Sequence, residues 1–175
     1  MNEDLLEKLK YPIGRFQKQG TLTAEQRKTM IRTIAETPDK VRRRVENLTD
    51  AQLDTPYRPE GWTIRQVVHH MADSHMNSYI RFKWTLTEDE PLIKTYNQKG
   101  WAELPDSLNG PVSYSLALLE ALHTRWVVML NHMSEQDFRT RLTHPEQGKI
   151  DLDHLLALYD WHCRHHLAHI ESVKF

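Results

Sequence analysis

Residues 151–173 read DLDHLLALYDWHCRHHLAHIESV. Leu152, Leu155, Leu158, Tyr159 and Ile170 recur at helical spacing and mark one apolar stripe, so the segment is expected to be an amphipathic helix packed on one side. Four histidines fall within eight residues of it: His162, His165, His166 and His169. His162 and His166 are four apart, which places both on one face about one turn from each other. The stripe runs through Leu155 and Leu158 on one side of the pair and His169 on the other, so the pair points to the interior. A cloning tag would be a consecutive run at a terminus; these rings alternate with apolar residues.

Outward from this segment, three more stretches carry the same period. Residues 112–133 present Leu116, Leu119, Leu122, Trp126, Met129 and Leu130. Residues 62–87 present Ile64, Val67, Val68, Met71, Ser74, Ser78 and Phe82. Residues 23–48 begin at Thr23 with Gln26 three positions on, a capping box, and continue through Met30, Ile31, Ile34 and Val41. Pro38 is expected to kink or restart that helix, because proline lacks the N–H and crowds the preceding turn. Residues 55–61 are a turn-rich connector. The segment 88–111 holds Pro91, Pro105, Pro111 and Asn109-Gly110 and is long for a connection, with Tyr96 and Trp101 expected to pin it to the bundle. A polar stretch with Pro145 and Gly148 precedes the last helix. Residues 1–22 carry Tyr11-Pro12-Ile13-Gly14 and Gly20 and are expected to form an extended arm. No repeat and no strand-period alternation stands out. Four long helices predict an all-α four-helix bundle in a single domain spanning 1–175, its simplicity broken by the long second connection.

The bulk numbers narrow the function. With 23 basic and 24 acidic residues among 175, the net charge is -1, so no basic excess drives nucleic-acid binding and no nucleic-acid partner is expected. The longest apolar run, Trp126 to Leu130, is far short of the roughly 20 residues a spanning helix needs, and no membrane partner is expected. Met1 leads directly into Asn2, Glu3 and Asp4, without the pattern of a signal peptide. The one cysteine, Cys163, excludes an internal disulfide framework and fits a reducing cytoplasm. It sits about 100° around the helix from His162 and is expected to be a small packed residue.

Histidine is the unusual count, at 11. A single histidine on an apolar helix face is usually a hydrogen-bonded core residue. An i, i+4 pair on a buried stripe is a metal-ligand pattern, because both imidazoles reach one ion from that spacing. A third ligand is needed, and His70 is the best placed, at the margin of the buried face of 62–87. His69, rotated about 100° away, is expected to face outward. His123, His132, His144 and His154 are assigned to the surface or to supporting positions. The protease motif H-E-x-x-H is absent, since His162-Cys163-Arg164-His165-His166 has no glutamate in the base position. A di-iron bundle needs two Glu-x-x-His motifs, and Glu120-Ala-Leu-His123 is alone.

Residues 54–77, DTPYRPEGWTIRQVVHHMADSHMN, together with Trp161 to Ile170, Tyr11 to Gly14 and the Trp126 segment, resemble the YfiT-like group of the DinB superfamily over nearly the whole chain. That resemblance implies a four-helix bundle, a homodimer, and one divalent metal per chain (zinc or nickel) held by His70, His162 and His166. It also implies a metal-dependent enzyme, either a hydrolase or a relative of bacillithiol S-transferases. Three neutral ligands leave the ion's charge intact and a coordination position open, which is a catalytic rather than a structural arrangement. The open position suits water or a thiol, and the ligand set does not choose between them. From the resemblance, transfer of a low-molecular-weight thiol such as bacillithiol to an electrophile is placed ahead of hydrolysis, with a non-catalytic stress-response metal module as a further alternative. His169 and Asp73 are expected to orient the ligand rings, and Asn77 and Arg81 to meet a small-molecule substrate from the His70 face.

Overall fold

The computed structural model describes residues 3–17 and 19–175. Its long helices are α2 (Ala24–Val45), α4 (Ile64–Thr87), α7 (Val112–His132) and α9 (Leu152–Ser172). Shorter helices are α1 (Glu3–Lys10), α3 (Asp50–Leu53), α5 (Gln98–Ala102), α6 (Pro105–Asn109) and α8 (Glu135–Arg139), and a hairpin pairs β1 (Arg141–His144) with β2 (Gly148–Asp151). The four long helices form a bundle in which α2 and α4 each touch both α7 and α9. Among the described residues no helix is long and apolar enough to cross a membrane.

Side-chain pairs give the direction of each helix. Arg27 meets Asp153 and Arg44 meets Glu171, so α2 and α9 run parallel. His69 meets Ser115 and His75 meets His123, so α4 and α7 also run parallel. Ser74 meets Tyr159 while the ring of His70 meets that of His166, so α4 and α9 run antiparallel. Helices consecutive in sequence therefore lie across the diagonal (α2 and α4, α7 and α9), and the connection from α4 to α7 joins parallel neighbours. A helix of 24 residues is about 36 Å long, so that connection must return the whole length of the bundle. This is the physical reason residues 88–111 are so extensive.

That connection is not structureless. Helices α5 and α6 interrupt it, Tyr96 packs against Trp101 at 4.5 Å between ring centroids, and Gln66 Nε2 donates to the Ala102 carbonyl. Gln66 also completes the capping box with Thr63 that starts α4, so one side chain sets the helix start and anchors the return. The capping box at Thr23 and Gln26 forms as the sequence predicts.

Four expectations are corrected. The helix at 23–48 ends at Val45, and Pro38 lies inside it without interrupting it. Proline deprives the Ile34 carbonyl of its helical partner, and His123 Nδ1 donates to that oxygen at 2.6 Å instead. The arm at 1–22 is not extended throughout, because residues 3–10 form α1, in which Leu5, Leu6 and Leu9 repeat at helical spacing. Met1, Asn2 and Lys18 lie outside the described residues. The stretch before α9 contains a hairpin. Its strands are only four residues long, too short to show alternation, and Pro145, Glu146 and Gln147 turn the chain with Gly148 at φ +71°. Finally, His69 does not face outward. It is buried, with Nδ1 on Ser115 Oγ at 2.7 Å and Nε2 on the Gly110 carbonyl at 3.1 Å.

The core divides into two clusters. Trp126, Phe82, Leu155, Leu156 and Ile34 anchor one, and Val68, Met71, Leu119 and Val41 the other. A buried, doubly hydrogen-bonded ion pair between Arg27 and Asp153 ties the start of α2 to the start of α9, with Nε–Oδ1 at 2.7 Å and Nη2–Oδ2 at 2.8 Å. The arm lies against its own bundle: Trp161 Nε1 donates to the Gly14 carbonyl, and Phe16 packs on His154 and Trp161.

Candidate metal centre

His70 on α4 and His162 and His166 on α9 each direct a ring nitrogen to one region, all within 4.8 Å of one another. The antiparallel crossing of α4 and α9 creates this meeting, with ring centroids 5.3 Å apart for His70 and His162, 4.8 Å for His70 and His166, and 4.4 Å for His162 and His166. His70 and His166 are buried and His162 half-buried. Burial pushes all three rings to the neutral form: His70 down to about 4, and His162 and His166 well below the ordinary histidine range, with the neighbouring rings adding to the effect. Neutral imidazole is the form that binds a metal. Three such donors aimed at one point, with no carboxylate among their hydrogen-bond partners, fit a divalent ion. A second grouping, His165, His166 and His169, is equally close. There, however, His169 has both nitrogens engaged, Nε2 on the Lys10 carbonyl at 3.1 Å and Nδ1 on His166 Nδ1 at 3.4 Å.

The three rings line a cavity of about 380 Å³. Trp62 and Trp161 supply aromatic walls, Arg81 a cation, and Tyr96 a phenol, while the hairpin turn contributes His144, Glu146 and Gln147. Trp62 also packs on His70 at 4.6 Å, and Trp161 stacks on His165 at 4.2 Å. Ser74 Oγ lies 3.4 Å from His162 Nε2 and is itself bonded to the buried Tyr159 hydroxyl.

The other residues singled out in the sequence fall as follows. His169 Nδ1 lies 3.4 Å from His166 Nδ1, and Tyr57 stacks on the His169 ring at 4.0 Å. Arg81 lines the cavity, its guanidinium steadied by the Lys94 carbonyl at 2.9 Å. Asn77 does not line it, and bonds back to the Asp73 carbonyl within α4. Asp73 makes no hydrogen bond to a ligand ring. It is half-buried, and burial with the nearby Asp106 pushes its carboxyl up to about 6. Cys163 is packed in the core, its thiol pushed up to about 12 by burial. Sequence reasoning missed the hairpin's contribution, which the Pro145-to-Gly148 turn signal could have revealed, and the burial of His75 and His123, for which the sequence carries no local signal.

The chain belongs to the DinB superfamily, whose pattern it matches over residues 33–170. Among its relatives is YfiT of Bacillus subtilis, provisionally named a metal-dependent hydrolase, which is 50% identical over 95% of this chain and 94% of its own. A Bacillus mycoides protein provisionally named in the same way is 50% identical over 95% of each chain. The solved structure of B. subtilis YfiT, described as having an unusual four-helix bundle topology, superposes with a TM-score of 0.91 over 94% of both chains.

Two outcomes are expected of this site. Elemental analysis of protein prepared without chelator should give close to one divalent metal per chain. His166→Ala should lose it, while His132→Ala keeps it, since His132 is exposed and bonded within its own helix; equal retention in both would remove the site. The buried neutral rings also make the metal-free fold acid-labile. His70, His123 and His169 take up protons only near 4, against an ordinary value of 6.5. Their contribution is complete above 6.5 and is lost as the pH falls from there toward 4, because the unfolded chain binds protons the folded one refuses. Urea midpoints at about pH 7.5 and about pH 5 should differ, with the lower pH less stable; equal midpoints would contradict burial of neutral rings.

Proposed function

We propose that this protein is a metal-dependent enzyme that activates a nucleophile for attack on a small electrophilic substrate, with His70, His162 and His166 holding one zinc or nickel ion. The observation that carries this reading is the coincidence of the three-histidine cluster with the wall of a cavity large enough for a small molecule. A divalent ion on three neutral imidazoles keeps its full charge and supplies Lewis acidity with coordination positions to spare. The chain's own residues do the rest. Arg81 sits where it would draw an anionic group of the substrate, and Trp62 and Trp161 offer flat apolar faces that exclude water. Glu146, carried to the cavity by the hairpin turn, is the carboxylate placed to take a proton from the nucleophile.

Glu146 and the names given to the relatives favour water as the nucleophile, and hence hydrolysis. Transfer of a low-molecular-weight thiol such as bacillithiol is the second reading. It is supported by the lack of an H-E-x-x-H glutamate between His162 and His166, since a thiolate needs no base during its attack. Fluorogenic esters and amides, and an electrophile offered with bacillithiol, with cysteine or with no thiol, separate the two when tried on metal-loaded and metal-free protein. Metal-dependent hydrolysis that drops about 100-fold or more in Glu146→Gln is the expected result. Thiol-dependent conjugation without hydrolysis would establish the second reading, and tight metal binding without turnover would leave a non-catalytic metal module.

We also propose a homodimer. The arm does not support it, because Tyr11 and Phe16 are half-buried on the chain's own α9. The support is the exposed apolar side chains on the outer faces of the neighbouring helices α4 and α7: Ile80, Trp84, Leu118 and Val128. Light scattering at micromolar concentration should give twice the chain mass of 20.7 kDa; a single-chain mass throughout would refute it.

A further inference from the structure

Two buried histidines outside the metal cluster lie in a row with one of its ligands. His123 Nδ1 is 2.6 Å from the Ile34 carbonyl, His123 Nε2 is 2.7 Å from His75 Nδ1, and His75 Nε2 is 2.9 Å from His162 Nδ1. Four helices contribute to the row, α2 through the Ile34 carbonyl and α7, α4 and α9 through the rings, and both added rings are almost completely shielded from solvent. Nothing in the catalytic reading uses them.

The row has a direction, and Pro38 sets it. A backbone carbonyl accepts hydrogen bonds and never donates. The Ile34 oxygen has lost its helical partner because Pro38, four residues on, has no N–H. His123 must therefore carry its hydrogen on Nδ1. A neutral imidazole has one hydrogen, so His123 Nε2 is a lone pair, and His75 must donate to it from Nδ1. By the same rule His75 Nε2 is a lone pair and His162 must donate from Nδ1. The one nitrogen left without a hydrogen is His162 Nε2, the nitrogen not used by the row. A histidine side chain in water favours the opposite form, with the hydrogen on Nε2, so the row works against the ring's own preference.

The alternatives are costly. Reversing the row would set a ring lone pair against a carbonyl oxygen at 2.6 Å and leave the Ile34 oxygen unpaired. A second proton on His75 would satisfy every contact in the row, but it would force the hydrogen of His162 onto Nε2. It would also place a charge at a ring that is 0% exposed, enclosed by Trp126 and Tyr159, with no carboxylate hydrogen-bonded to it.

We propose that His75 and His123 are positioning residues that, with the carbonyl freed by Pro38, lock the hydrogen of His162 on Nδ1 and keep its Nε2 lone pair ready for the metal. This rests on the reading of His70, His162 and His166 as ligands. A shorter row serves His166 in the same way: the Lys10 carbonyl, at the end of α1, takes the Nε2 hydrogen of His169, whose Nδ1 then accepts from His166 Nδ1.

The test uses the full chain, first free of metal. Long-range proton–nitrogen correlation spectra of histidine-labelled protein report the tautomer of each ring. His123, His75 and His162 should all carry the hydrogen on Nδ1, and an Nε2 hydrogen on any of them overturns the row. Zinc affinity is then read by competition with a chromophoric chelator. His123→Leu breaks the row's first two links, to the Ile34 carbonyl and to His75 Nδ1, and should weaken zinc about 10- to 100-fold, the usual cost of losing a partner that orients a ligand. His123→Gln should recover most of that loss, because its amide can donate to Ile34 and accept from His75. Wild-type affinity in His123→Leu, or failure of the Gln variant to recover when circular dichroism shows it folded, overturns the proposal. If His123→Leu does not fold, the wild-type tautomers still decide. If wild-type protein binds no zinc, the ligand assignment falls, and the spectra judge the row on its own.

Discussion

Burying an imidazole without a counter-charge imposes a strict rule: the ring stays neutral, and each of its two nitrogens must find a complementary partner or a ligand. This chain buries nine of its histidines, and the rows that place them draw on α2, α4, α7, α9 and the end of α1. Most of the rings find backbone carbonyls such as those of Gly110, Ile34 and Lys10, hydroxyls such as Ser115, or one another, while Nδ1 of the buried His165 has no hydrogen-bond partner among the described residues. The bundle is in this sense organised around a polar interior, with the two apolar clusters packed about it.

The up-down-down-up arrangement of the long helices follows from the same centre. The antiparallel crossing of α4 and α9 brings His70 to His162 and His166. The parallel pairing of α4 with α7 brings His75 to His123. A parallel pair demands a returning connection, and the protein uses that connection as a cavity wall through Tyr96, while the hairpin adds Glu146 to the same cavity. The element that the topology requires thus also shapes part of the site.

Pro38 illustrates how a local defect becomes a tertiary device. In an isolated helix it would cost a hydrogen bond and invite a kink. Here the orphaned carbonyl is a fixed acceptor at the head of a row of rings, and the helix runs on because His123 satisfies it. The defect and its remedy sit on different helices, 89 residues apart in sequence.

Much of this was legible in the sequence. The 3.6-residue spacing of apolar residues located four helices, because amphipathicity is a local property of a helix packed on one side. The i, i+4 spacing of His162 and His166 marked a candidate ligand pair because that geometry is fixed within a single helix, and the place of His70 on its own helix, together with the family resemblance, made it the third candidate. Short elements escaped: α5, α6 and the four-residue strands offer too few residues for a period to show. His69 was misplaced by helical rotation alone, since which flank of α4 is covered depends on α6 and α7, not on α4 itself. The partners of His75 and His123 and the arrival of Glu146 at the cavity depend on which helices neighbour one another and in which direction they run. Those are relations between distant segments, and only the packed tertiary structure decides them, because no local spacing encodes a contact made across the bundle.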